Sequence, residues 1–142
     1  MAWEHSPQHT GSQKQSVAPA IWAGVLAGLG RPEAAEHLAA CLAGPTAWAD
    51  VPAEARRLRV APLLYAGLRS GAAETVPPDV LDALRRMTLT LGARSARLER
   101  AAAAAIAAVS ADGIPVLVLK GLALQTLAYP PGIVRPMDDV DL

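Results

Sequence analysis

The sequence contains no phenylalanine, and aromatic residues make up only 4% of its 142 residues, although 52% are hydrophobic. Alanine is the commonest residue in the chain. A core built around large aromatic rings is therefore excluded. The composition predicts a globular protein whose helices pack closely through small side chains, with leucine and valine as the main filling.

The sequence also has only one cysteine and no net charge. The single cysteine, Cys41, excludes an internal disulfide framework and a cysteine-based zinc site. Thirteen Lys and Arg balance thirteen Asp and Glu, so the molecule as a whole has no electrostatic reason to bind nucleic acid or an anionic membrane. Only a local patch could do so, and the spacing of Arg94, Arg97 and Arg100 indicates a solvated helix face.

A long hydrophobic run is also missing. The uncharged segment 16–30 follows Lys14 and has the look of a short signal-peptide core, but it is too short and too glycine-rich to span a bilayer. Glu4 and several amides precede it in place of a compact basic start, and an amphipathic segment follows it. We therefore expect a cytoplasmic protein without a membrane partner.

The periodicity of apolar residues predicts three regions. Residues 1–16 are polar without a period and are expected to form a disordered tail. Residues 17–112 are expected to be helical, with short runs as far as Gly71 and then one long helix, or two helices joined near Gly92. The run EARRLRVAPLLYAGLRSG is interpreted as a single helix that ends at a glycine cap.

The period changes in the third region, residues 113–142. GIPVLVL predicts a buried strand as far as Leu119, LALQTLAY a helix, PPGIVRP a loop and MDDVDL a second strand. Together with the preceding helices, this order predicts an α+β fold.

Two features of that region could carry chemistry. In a strand Asp139 and Asp141 point to the same side, with Val140 and Leu142 toward the core, and the two carboxylates would suit Mg²⁺. Lys120 and Gly121 precede a helix whose first N–H groups favour an anion such as phosphate. Taken singly, each feature also fits a surface acidic cluster or an ordinary strand-to-helix turn.

The stretch VLVLKGLALQTLAYPPGIVRPMDDVDL resembles the start of the catalytic domain in the uncharacterised bacterial nucleotidyltransferase family, a branch of the DNA polymerase beta-like nucleotidyltransferases. The shared features are an apolar strand, a Lys-Gly before a helix, a Tyr-Pro, an Arg and a D-[IV]-D-L ending. The upstream segments RVAPLLYAGL and VPPDVLDAL resemble the helical region that precedes this domain, so the resemblance extends from about Ala55 onward.

The resemblance implies a metal-dependent transfer of a nucleoside monophosphate from an NTP to an acceptor. Asp139 and Asp141 would be the catalytic residues and hold two Mg²⁺ ions, and Lys120 with Gly121 would lie against the triphosphate. Arg135 would pair with a phosphate or brace the aspartate strand. The acceptor, whether small molecule, protein or RNA, and the preferred base are not implied.

The sequence departs from the family pattern in two places. The wider superfamily commonly has Gly-Gly or Gly-Ser, whereas Leu122 follows Lys120-Gly121 here. The superfamily also has a third carboxylate on a later strand, so the resemblance implies that this chain is truncated after its Asp-Val-Asp motif and inactive as a fragment. The alternative hypothesis is a non-enzymatic helical interaction module with a solvated acidic end.

Overall fold

The computed structural model describes residues 16–142, and most of this part of the chain is helical. The predicted disordered tail lies outside the described residues, except for Ser16. In these described residues six helices follow one another: α1 Ala18–Gly28, α2 Ala34–Leu42, α3 Val51–Leu58, α4 Ala61–Gly71, α5 Pro78–Ala111 and α6 Lys120–Ala128. A single 3₁₀ turn, Trp48–Asp50, leads into α3.

The core lies among the first five helices. α1 packs against α2 and α4, and α4 packs against the beginning of α5. Within residues 16–142 the largest fully buried side chains include no aromatic ring; they are Ile21, Leu38, Val51, Leu64, Leu68, Leu84 and the small Ser95. The predicted core of aliphatic side chains is therefore confirmed.

Glycines bring α1 and α4 into close contact. A Cβ atom on Gly67 would lie 1.9 Å from the backbone oxygen of Gly24, and one on Gly28 would lie 2.0 Å from the oxygen of Leu63. Both distances are far below van der Waals contact, so only glycine is compatible with this helix pair. The prediction that helices pack closely through small residues is confirmed here.

The run interpreted as one helix is two helices, α3 and α4. Pro62 is the physical reason, because it lacks a backbone N–H and its ring clashes with the carbonyl of a preceding helical turn. α3 ends instead at Arg59, whose φ of 59° is left-handed. The Val60 N–H donates to the Ala55 oxygen at 3.0 Å and the Arg59 N–H to the Arg56 oxygen at 3.1 Å, which closes the helix as a glycine usually does.

α5 is continuous through Gly92, so the alternative of one long helix is confirmed. Its 34 residues give a length of about 50 Å. Val80 and Leu84 lie in the core, whereas most residues between 101 and 111 are exposed. Ser95, near the middle of α5, is 2% exposed.

The predicted strands do not form anywhere in residues 16–142, so the α+β prediction is wrong for this part of the chain. One backbone hydrogen bond, from the Leu119 N–H to the Asp141 oxygen at 3.1 Å, joins the two segments, and a ladder requires several. Pro115 cannot donate to a ladder, and Leu117 is 72% exposed, so the run is not buried. Leu142 is exposed as well, whereas the strand prediction places it toward the core.

No helix in residues 16–142 is both long enough and apolar enough to cross a bilayer.

Candidate functional site

The beginning of α6 is joined twice to Asp141. The Lys120 ammonium donates to Asp141 Oδ1 at 3.0 Å, and the Leu119 N–H donates to the Asp141 backbone oxygen. Lys120 has a φ of 46°, which is uncommon for a residue with a side chain. The chain therefore changes direction at Lys120 between the extended Leu119 and the helix, and the lysine side chain lies beside a carboxylate that follows it by 21 residues.

Gly121 allows Arg135 to lie against the first turn of α6. A Cβ atom at Gly121 would be 2.8 Å from Arg135 Nη1 and 3.2 Å from the sulfur of Met137, which is itself buried. A side chain at this position would displace the guanidinium or the methionine. The absence of a side chain at Gly121 is thus what brings the arginine close to the helix.

Two polar side chains hold the backbone around Arg135. Gln125 of α6 accepts a hydrogen bond from the Arg135 N–H at 2.6 Å and donates one to the Ile133 oxygen at 2.9 Å. The buried Ser95 hydroxyl of α5 donates to the Arg135 oxygen at 3.1 Å. Both backbone polar groups of Arg135 are therefore bound, which fixes the segment against α5 and α6.

The electrostatics of this corner favour an anion. The Lys120 ammonium and the Arg135 guanidinium lie at the N-terminal end of α6, where backbone N–H groups lack helical partners. Asp141 offsets one of the two positive charges. Because Lys120 is 73% exposed, its side chain can exchange partners at little cost.

The carboxylates of the Asp-Val-Asp motif differ in their surroundings. Asp141 is half-buried beside Lys120, whereas Asp139 is exposed and takes part in no ion pair within residues 16–142. Carboxylate oxygens are ligands that Mg²⁺ prefers, and two of them are a usual protein contribution when phosphates and water supply the rest. Residues 16–142 contain no group of three or more His, Cys, Asp or Glu side chains that could hold a metal ion.

Asp138 has the most extensive ion pairing of the three aspartates. Arg59 donates a hydrogen bond to it, and Arg94 forms an ion pair with it, with Nη2 2.8 Å from Asp138 Oδ1. The hydrogen bond from Arg59, with its charge and that of Arg94, lowers the pKa of Asp138 below its ordinary 3.8. Arg94, expected on a solvated helix face, is thus bound to the segment that carries the motif.

The structure brings four of the five predicted site residues together: Lys120, Gly121, Arg135 and Asp141. Asp139 lies beside them in sequence without a polar contact to them. Sequence reasoning missed the contributions of Asp138, Ser95 and Gln125. Ser95 did leave a signal, because it is the one polar interruption of the apolar face of α5.

Comparison with known proteins gives one positive result. Residues 44–142, which include α3 to α6 and every residue of the candidate site, match the sequence model of a family described as "uncharacterised nucleotidyltransferase". No curated protein matches the chain, and no solved structure does.

Proposed function

The chain belongs to the uncharacterised nucleotidyltransferase family, and we propose on that premise that it binds a nucleoside triphosphate at the start of α6 for metal-dependent transfer of a nucleoside monophosphate to an acceptor. One observation carries the proposal. Lys120, Gly121, Arg135 and Asp141 converge at a helix N-terminus, in a chain whose family is described by this activity.

Lys120, Gly121 and Arg135 take the triphosphate in this proposal. The glycine lets the Arg135 guanidinium lie against the first turn of α6, and the helix N-terminus provides N–H donors. The guanidinium supplies a planar pair of donors that matches phosphate oxygens, while the ammonium is a movable point charge. Ser95 and Gln125 hold the arginine backbone, so the guanidinium needs little reorganisation when phosphate binds.

Asp139 and Asp141 hold Mg²⁺ in this proposal. When bound, the metal supplies charge neutralisation on the phosphoryl oxygens and activation of an acceptor hydroxyl. Binding of the cation would replace Lys120 as the partner of Asp141, and the Lys120 ammonium would then be free to contact phosphate.

The acceptor contributes an oxygen that attacks the α-phosphorus, and pyrophosphate leaves with the electrons of the broken P–O bond. A small molecule, a protein and an RNA all carry suitable hydroxyls. The zero net charge of the chain gives RNA no overall electrostatic advantage.

Binding of a non-hydrolysable ATP analogue tests the roles of these residues. Titration calorimetry with Mg²⁺ present and with EDTA gives the metal-dependent part of the affinity. We expect Asp139→Asn and Asp141→Asn each to reduce that part by about tenfold or more, since each removes the charge of a ligand oxygen. Lys120→Ala should weaken binding both with and without metal.

Asp82→Asn is the matched control, because Asp82 is exposed and lies about 20 Å along α5 from Ser95. Equal Mg²⁺-dependent binding by the wild type, Asp139→Asn and Asp141→Asn would refute the metal assignment. Absence of any nucleotide binding would favour the alternative, a non-enzymatic helical interaction module. The observation on its side is the exposed apolar surface that includes Leu117 and Leu127.

A further inference from the structure

A cavity outside the candidate site is lined by Asp138 and by residues of α3, α4 and α5. It has a volume of about 510 Å³ and lies between the end of α3, the first residue of α4 and the middle of α5. None of Lys120, Gly121, Arg135, Asp139 and Asp141 lines it, so it is separate from the proposed nucleotide site. Its volume falls within the range of about 300–1000 Å³ that is typical of small-molecule sites.

Arginines dominate the polar lining of this cavity. Its lining contains one carboxylate, that of Asp138, and four arginines, which are Arg56, Arg59, Arg86 and Arg94. Arg59 and Arg94 share Asp138, whereas Arg56 and Arg86 are in no ion pair anywhere in residues 16–142. Arg56 and Arg86 therefore lack a carboxylate partner in the cavity, and four arginines against one carboxylate leave an excess of three positive charges, a repulsive arrangement that an anion would relieve.

The backbone holds these arginines in place. Arg86, Thr90 and Arg94 follow one another at intervals of four residues, which places them along one side of α5. Arg56 lies in the last turn of α3 and Arg59 at its left-handed end. The charged groups thus belong to two helices that pack against each other, and not to a mobile loop.

The floor of the cavity is apolar. Ala55 and Ala61 are almost completely buried, and Met87 and Leu91 beside them are half-buried. A ligand that fits has an anionic end for the guanidinium groups and an apolar or flat body for the floor. A phosphate suits the arginines better than a carboxylate, since its additional oxygens can accept from more than two guanidinium groups at once.

We propose that this arginine cavity, defined by Arg56, Arg59, Arg86 and Arg94, binds a small phosphate-bearing molecule. Its phosphate replaces Asp138 as the ion-pair partner of Arg59 and Arg94. Until phosphate binds, the Asp138 carboxylate is the anion that pairs with these two arginines. The proposal does not depend on nucleotide transfer at α6, because the two sites share no lining residue.

Titration with inorganic phosphate and with phenyl phosphate at constant ionic strength tests this inference, with NMR chemical shifts or calorimetry as the readout. We expect saturable binding of both probes, and tighter binding of phenyl phosphate because of the apolar floor. Arg86→Ala should weaken binding about tenfold, the loss expected for one charge-assisted contact. Asp138→Asn should tighten binding severalfold, because it removes the charge that competes for Arg59 and Arg94.

Arg85→Ala is the matched control, since Arg85 is an exposed neighbour on the same helix and does not line the cavity. It should leave the affinity within about twofold of wild type. Equal weakening by Arg85→Ala and Arg86→Ala, or a failure to saturate, would overturn the proposal as non-specific charge attraction. Acetate or benzoate binding as tightly as the matching phosphate would overturn the assignment to phosphate. Neither Arg85 nor Arg86 is in an ion pair within residues 16–142. Both variants are therefore expected to have the wild-type unfolding temperature, which a thermal unfolding experiment measures.

Discussion

Asp138 connects two arginines that come from different helices. Arg59 follows α3 in a left-handed conformation, Arg94 lies in α5, and the Asp138 carboxylate forms an ion pair with each. All three side chains are roughly half exposed, so water and salt screen the attraction. The role of this contact is therefore to position the segment that carries Asp139 and Asp141, with only a small effect on stability.

At the residue scale we predict a low pKa for Asp138. The folded-state pKa lies below the ordinary 3.8, so the stabilising contribution is fully present above pH 3.8 and is lost as the pH falls through the folded value. A carboxyl-carbon NMR titration should place the Asp138 midpoint below 3.8. In Arg59→Ala the midpoint should move upward, because the hydrogen bond from Arg59 is the largest cause of the shift.

Arg57→Ala supplies the control for this titration. Arg57 binds Glu54 at 2.5 Å and lowers the pKa of that carboxyl through their hydrogen bond. Its removal should raise the Glu54 midpoint and leave that of Asp138 unchanged. An Asp138 midpoint that moved equally in Arg57→Ala and Arg59→Ala would contradict the specific pairing.

At the element scale the contact between α1 and α4 depends on backbone meeting backbone. Gly67 of α4 faces Gly24 and Gly28 of α1, with no room for even one methyl group. A helix contact of this kind cannot relax by rotating a side chain, because the obstructing atoms are main-chain atoms. The helices would have to separate, and the buried Leu64 and Leu68 would lose their packing.

Gly67→Ala is therefore expected to lower the free energy of unfolding by about 3 kcal/mol or more, from overpacking at a site that cannot adjust. Chemical denaturation measures the loss. The matched control is Gly71→Ala in the same helix, where the nearest atom to the new Cβ, a methyl carbon of Leu38, is 3.8 Å away. That variant should change the free energy by less than about 1 kcal/mol. Similar losses of unfolding free energy in both variants would mean that the close approach of α1 and α4 is not the reason why position 67 requires glycine.

At the scale of the whole molecule, burial is uneven along the chain. Every residue of the continuous core cluster lies between Ala20 and Leu84, whereas α6 contains no buried residue. Hydrogen bonds from Ser95 and Gln125 attach the segment that includes Arg135, together with apolar packing by Ile133 and Met137. The candidate site thus lies outside the core cluster, next to a well-packed helical support.

Hydrogen exchange should reveal this difference. We expect the backbone amides of α1, α4 and the first turns of α5 to exchange slowest, because their opening exposes the core. Amides of α6 should exchange fastest among the helices, since its opening exposes little apolar surface. The measurement is mass spectrometry or NMR, corrected for intrinsic exchange rates.

Gly67→Ala gives the internal check on that prediction. It should accelerate exchange in α1 and α4 while leaving α6 near its wild-type rate, because α6 lies outside the core cluster. Protection of α6 equal to that of α4 would contradict the uneven distribution of stability.

Apolar periodicity was sufficient to predict most of the helices, because a helix satisfies its own backbone hydrogen bonds within one stretch of sequence. It predicted the long α5 and the helix after Lys120. It failed at Arg59, where the interruption depends on Pro62 three residues later, and at the two strands. A strand requires a partner, and the sequence of one segment does not say whether its neighbour forms a full ladder or a single hydrogen bond.

The sequence by itself determined the helical, alanine-rich core and the family, and it supplied the residues that we propose for phosphate and metal, because these follow from composition, local spacing and motif. The tertiary structure alone decided that Arg135 lies over Gly121, that Asp138 is held by Arg59 and Arg94, and that four arginines surround one cavity. These contacts join residues distant in sequence, and each depends on helix packing and on hydrogen bonds such as those of Ser95 and Gln125. No short stretch of sequence contains that information.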